Sequence, residues 1–246
     1  MESSQFLLLT GFIFAAAVLY ASVGHAGASG YIAAMALFGV APAVMKPTAL
    51  LLNILVATIA TTRFYRAGCF SWSLFWPFTL ASVPFAYLGG ALTLPGGIYK
   101  PMVGVLLLVA AMRLFAAQKP GESHDLKSVN LSVALLFGSG IGLLSGLTGT
   151  GGGIFLSPLL IFMGWAETRQ ISGVSAAFIL VNSIAGFAGN LVRVGSMPEW
   201  LPLWAAAVVL GALLGTQLGI RRLSAKGLQI ALGLVLLVAG VKLILT

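Results

Sequence analysis

The chain has 246 residues, of which 59% are hydrophobic and only 7% charged; its mean hydropathy is +1.07 and its net charge +8. Soluble domains carry about 25% charged residues, so this composition excludes a soluble globular protein and points to the membrane. The basic residues sit at the ends of apolar segments and form no continuous patch, which excludes nucleic-acid binding and reads as a topology signal.

In chain order, the first apolar segment is Phe6 to Val23, followed by a glycine-rich break, Gly24-His-Ala-Gly-Ala-Ser-Gly30. A short apolar run, Tyr31 to Val40, leads to an elbow with Pro42, Lys46 and Pro47, then to Thr48–Thr62 and a basic end, Arg63-Phe-Tyr-Arg66-Ala-Gly68. Trp72–Leu94 and Val103–Ala117 follow, and then the polar stretch Gln118–Asn130. Leu131–Leu144 opens a second series: the break Leu147-Thr-Gly-Thr-Gly-Gly-Gly153, the short run Ile154–Gly164, and Val174–Leu191 ending in Asn190-Leu-Val-Arg193-Val-Gly195. Leu201–Ile220 and Leu228–Leu245 complete it. A span needs roughly 17–25 residues. The two short runs, about 1.5 Å per residue, cover half a bilayer and predict half-helices.

The second series repeats the first: Gly30 corresponds to Gly153 (153 − 30 = 123) and Arg66 to Arg193 (193 − 66 = 127), a repeat with small insertions. The predicted fold is all-α, a polytopic membrane protein of about eight spanning helices plus short broken or re-entrant half-helices, in one transporter domain. Repeat 1 covers residues 4–117, a cytoplasmic linker 118–130, and repeat 2 residues 131–246. If each break and its half-helix return the chain to one side, the linker's side holds Arg63, Arg66, Arg113, Lys119, Lys127, Arg169, Arg221, Arg222 and Lys226. The other side holds Lys46, Lys100, Arg193 and Lys242. The alternative, one crossing per break, removes that bias. The positive-inside rule therefore favours inverted repeats with both termini outside the cytoplasm. The leader has Glu2 and no Lys or Arg, so the first segment is read as a retained helix, not a signal peptide.

A half-helix that starts inside the membrane exposes unpaired N–H groups and the positive end of its dipole. Glycine lets a ligand approach that backbone. Two such starts converging near the midplane make an anion site. The residues expected to bind substrate are His25, Gly27, Ser29, Gly30, Asn53, Thr148, Thr150, Gly151, Gly152, Gly153 and Asn182, with Ser145 beside them. The competing reading of the glycines is close helix packing, and of the two asparagines, a bond to a neighbouring helix. Lys46 and Arg169, at the elbows, are read as interfacial anchors.

Glu2, Glu122, Asp125, Glu167 and Glu199 all fall in loops or at termini. Cation carriers place acids along their path, so the substrate is an anion, and no cofactor or metal is expected. His25, with an ordinary pKa of about 6.5, either couples a proton or donates a hydrogen bond to the anion; His124 is solvated in the linker. Cys69 is alone and forms no intramolecular disulfide. Gly27-Ala28-Ser29-Gly30 also matches the Gly-x-Ser-Gly of rhomboid-type intramembrane serine proteases. A serine nucleophile needs a base within hydrogen-bond reach, and neither histidine suits that role.

The run Leu147-Thr-Gly-Thr-Gly-Gly-Gly-Ile-Phe-Leu-Ser-Pro158-Leu, then Gly173-Val-Ser-Ala176 and Asn182-Ser-Ile-Ala-Gly186, resembles the second-half signature of the sulfite exporter TauE/SafE family. Tyr65-Arg66-Ala-Gly68 with Trp72, and Gly211-Ala-Leu-Leu-Gly215-Thr-Gln-Leu-Gly-Ile-Arg221-Arg222, are similar to the rest of that family's pattern. The resemblance implies a bacterial inner-membrane permease for sulfite, sulfoacetate, another sulfonate or a different small anion. Membrane lipid would be its surroundings, and a homodimer a reasonable assembly. One repeat would rock against the other around the site. The first half departs from the pattern, with His25-Ala-Gly-Ala-Ser-Gly30 where the family commonly has Gly-Gly-Gly.

Overall fold

The computed structural model describes residues 3–116, 128–193, 197–220 and 226–245. Lys119, Lys127, His124, Arg221, Arg222 and most of the 118–130 linker lie outside the described residues. Those described form helices α1 (Ser3–Ser22), α2 (Ala28–Leu37), α3 (Pro42–Arg66), α4 (Trp72–Ala91), α5 (Gly96–Ala116), α6 (Leu131–Thr148), α7 (Gly153–Met163), α8 (Thr168–Asn190), α9 (Leu201–Ile220) and α10 (Lys226–Leu245). A short 3₁₀ turn, Leu191–Arg193, follows α8, and no strand occurs among the described residues.

The chain is a polytopic all-α membrane protein. Among the described residues, six helices are long and apolar enough to cross a membrane: Gln5–Ser22, Pro42–Arg66, Trp72–Ala91, Leu131–Thr148, Arg169–Asn190 and Leu201–Ile220. α5 and α10 have similar length, 21 and 20 residues, whereas α2 and α7 have 10 and 11. α3 starts at Pro42 and so takes in the predicted elbow. Pro42 stands in its first turn, where a missing N–H costs no hydrogen bond. Asn130 starts α6 by accepting from the Val133 N–H at 3.2 Å, and Glu167 with Gln170 forms a capping box at the start of α8.

Lipid offers no hydrophobic drive for helices to associate, so close backbone approach decides the partners. Gly138, Gly142 and Gly146 of α6 lie one turn apart against the backbone of Phe78, Ser82 and Ala86 on α4, and a Cβ on any of them would strike it. Gly211, Gly215 and Gly219 of α9 pack in the same way on Phe14, Val18 and Ser22 of α1. Gly104 of α5 faces Gly240 of α10, and α3 packs along α8. The buried apolar side chains form two main clusters. One joins α1, α2, α3, α5, α9 and α10 and takes in Ile179 of α8; the other joins α4, α6, α7 and the rest of the buried α8 face. α4 thus packs with the second series, and α9 and α10 with the first.

The contacts also sort the helix ends. Ser71 and Ser73 after α3, Ser128 before α6, and Trp165 and Gln170 around the α7–α8 elbow line one cavity of about 420 Å³. At the other end of the bundle, Lys46 near the start of α3 bonds the last carbonyls of α4, and Lys242 bonds Ala36 and Leu37 at the end of α2. α6 leaves the first end and α7 returns to it. α1, whose Phe6 packs on Trp200 at the start of α9, leaves the opposite end, and α2 returns there. The Arg63 guanidinium, donating to the Leu213 carbonyl and the Thr216 hydroxyl, fixes the far end of α9 beside that of α3.

Candidate functional site

Both breaks are built on left-handed backbone, which glycine adopts without strain. In the first, Gly24 (φ +78°) and Gly27 (φ +97°) turn the chain from α1 into α2. In the second, Gly149 (φ +84°) ends α6, and Gly151 (φ +77°) and Gly152 (φ +82°) lead into α7. Gly24 lies against the backbone of Ser172 on α8, and Gly149 against Lys46 on α3, where an added Cβ would stand 3.1 Å from the carbonyl. Each break therefore packs on the start of the long helix in the other series. The first-turn N–H groups of α2 and α7 lack intrahelical acceptors by construction.

The breaks meet through His25. Its Nε2 lies 3.1 Å from the Gly153 carbonyl, the first residue of α7, and 3.0 Å from Ser157 Oγ. Ser157 Oγ in turn is 2.8 Å from Ser175 Oγ of α8. Nδ1 faces the Val23 carbonyl at 3.3 Å. The predicted residues Gly151, Gly152 and Gly153 adjoin this point. Space beside Gly151 is taken by the Asn53 amide and Ser183 Oγ, and beside Gly153 by Ile179, with the His25 ring 3.3 Å from an added Cβ.

Asn53 and Asn182 are both fully buried. Asn53 Nδ2 donates to Ser183 Oγ at 3.4 Å, and Asn182 Nδ2 to its own helix at the Phe178 carbonyl, 2.9 Å. The Oδ1 atoms of both, with the hydroxyls of Ser145 and Thr48, are buried without a hydrogen-bond partner. Buried polar atoms of that kind are uncommon and require an explanation. The remaining predicted side chains are engaged within the breaks. Ser29 donates to Tyr20 Oη at 2.6 Å, and Thr148 donates to the Leu144 carbonyl at 2.7 Å while sharing a 2.9 Å contact with Thr150. Gly30 is buried in the first turn of α2. Tyr31 and Tyr99 tie the two turns down, donating to the Ala26 and Thr148 carbonyls.

The expectation for Lys46 changes. Lys46 is no interfacial anchor: it is 8% exposed, and its Nζ donates to the carbonyls of Gly89, Gly90 and Leu92 at 3.2, 2.9 and 3.1 Å. An ammonium there complements the negative end of the α4 dipole. A bulky residue at Gly152 would also not leave the fold intact, because φ is positive and a Cβ would approach Ile141 and Phe178 at 2.9 and 3.0 Å. Arg169 is exposed at the elbow, in keeping with an anchor. Tyr20, Ser157, Ser175 and Ser183 went unrecognised in the sequence. Ser157 and Ser175 stand inside the Leu-Ser-Pro and Gly-Val-Ser-Ala runs of the second-half signature, and Ser183 follows Asn182 directly. That placement was a signal.

Among the described residues, no group of three or more His, Cys, Asp or Glu could hold a metal ion. No solved structure matches the chain. A probable membrane transporter protein of Sinorhizobium fredii is 41% identical over 234 residues, covering 94% of this chain and 95% of that one. A probable membrane transporter protein of Methanocaldococcus jannaschii is 26% identical over 211 residues, 80% and 78% of the two chains. The sulfite exporter TauE/SafE family matches residues 8–243. Nearly the whole chain is thus accounted for by one family, and the protein belongs to the sulfite exporter TauE/SafE family.

Proposed function

We propose that the protein is a permease for a small sulfur-containing or organic anion, sulfite, sulfoacetate or another sulfonate, held between the starts of α2 and α7. Membership of an exporter family makes it a membrane transporter, not an enzyme. The observation that carries the substrate reading is the meeting of the two breaks at His25 and Gly153, beside the start of α7 and just before that of α2, whose first-turn N–H groups lack intrahelical acceptors. Backbone donors bind the anion; His25, Asn53 and Asn182 orient it, and Ser29, Thr148 and Thr150 shape the turns that present those donors. The chain reads as two inverted repeats, with the end bearing Ser71, Ser128 and Trp165 facing the cytoplasm of the inner membrane.

Transport follows by alternating access. The exchanged packing of α4 and α9 makes the moving bodies the two apolar clusters, one carrying α2 and the other α7, in place of the sequence halves. The site is buried in the present arrangement, so one cluster must shift against the other to open it. Counterflow in proteoliposomes tests this reading. Trapped unlabelled sulfoacetate or sulfite is expected to drive transient accumulation of the labelled anion. Liposomes that exchange no small anion, or that exchange only cations, would contradict it.

A further inference from the structure

We propose that His25 takes up a proton together with the anion, which makes the transporter proton-coupled; the proposal rests on the anion site described above. Each ring nitrogen faces a carbonyl: Nδ1 the Val23 oxygen at 3.3 Å and Nε2 the Gly153 oxygen at 3.1 Å. A carbonyl only accepts, so both bonds exist together only when both nitrogens carry hydrogen. The neutral ring, with its proton on Nδ1, leaves Nε2 an acceptor. Ser157 Oγ at 3.0 Å then donates to it, and Ser175 Oγ, 2.8 Å further on, donates to Ser157. In the protonated ring the hydroxyls rotate: Nε2 donates towards Gly153 and Ser157, and Ser157 donates to Ser175. The serine pair thus serves both states of the half-buried imidazole. Protonation forms one N–H bond at Nε2 and breaks one O–H bond of a hydronium ion in the water admitted when the site is open, leaving a water molecule.

Charge balance ties this proton to the substrate. Tyr20 of α1, its ring 6.4 Å from that of His25, is the titratable neighbour, and its hydroxyl is engaged by Ser29. α7 and α8 face the ring with Ser157 and Ser175, neither of them charged; Arg169 of α8 is exposed at the elbow. A half-buried imidazolium with no carboxylate beside it among the described residues is costly, and an anion at the adjoining helix starts supplies the missing charge. Proton and anion therefore bind cooperatively. A monovalent anion then moves with no net charge, and the bond from Nε2 to Gly153 holds the α2 and α7 breaks together while both are loaded.

The test uses wild-type protein in liposomes with a trapped pH indicator and a sulfonate whose charge is constant near neutral pH. Anion uptake is expected to acidify the lumen by one proton per anion, and an inward proton gradient to drive accumulation. Above the pH at which His25 titrates, the apparent Kd should rise by about tenfold per pH unit. His25→Gln should weaken exchange and flatten the pH dependence of what remains. Ser157→Ala, which removes the donor to the neutral ring, should shift that dependence to higher pH. Robust wild-type counterflow without proton movement would overturn the coupling and leave the anion site standing. Absence of any wild-type counterflow would remove the anion site, and this proposal with it.

Discussion

Asn53 and Lys46 show what single residues contribute at the site and beside it. Asn53 is buried against Gly151 and Ser183; its Nδ2 carries two hydrogens and gives one to Ser183 Oγ, so the other can donate to an anion. A hydrogen bond to a charged group is worth about 1.5–3 kcal/mol. Asn53→Leu, close in volume, is therefore expected to weaken anion binding about tenfold or more with little change in the melting temperature of the unliganded protein. Titration by ligand-induced melting checks both. Lys46→Met removes an ammonium from three carbonyls at the end of α4. It should destabilise the fold by about 2 kcal/mol, and an unchanged melt would show that the cap contributes nothing. The glycines stood out in the sequence because the two breaks recur at a near-constant offset. Lys46 did not, since the carbonyls it caps lie more than forty residues away by |i−j| of 43, 44 and 46.

At the scale of helices, the spans and the two half-helices were legible because run length and composition set them directly. The pairing of α4 with α6 and of α1 with α9 was not. The glycines announce a close approach without saying to which backbone. Gly142→Leu would drive a side chain into the Ser82 carbonyl of α4, and is expected to lower the yield of monodisperse protein sharply. Gly140→Leu, two residues away with no atom within 4 Å of its Cβ, should be tolerated. Equal behaviour of the two variants in size-exclusion chromatography would contradict the packing described for α6.

For the whole molecule, the sorting of helix ends combined with the positive-inside reading makes the proposed orientation testable. Gly97, exposed at the start of α5, should lie outside the cytoplasm, and Ser128, exposed before α6, inside. In a Cys69→Ser background, an impermeant maleimide applied to intact cells should label Gly97→Cys but not Ser128→Cys, with the reverse in inside-out vesicles. Composition and the recurring apolar segments carried the fold class in the sequence. The two packed clusters were beyond it, because exchange of α4 and α9 depends on three-dimensional partners that neither hydropathy nor repeat spacing encodes.

The central claim is that the two breaks form one anion site. Its most direct test is ligand-induced thermal stabilisation of the purified protein by sulfite, sulfate, thiosulfate, sulfoacetate, taurine, lactate and divalent cations. Stabilisation by sulfite or a sulfonate, lost or much reduced in Asn53→Leu, is the predicted result. Stabilisation by cations alone would contradict it.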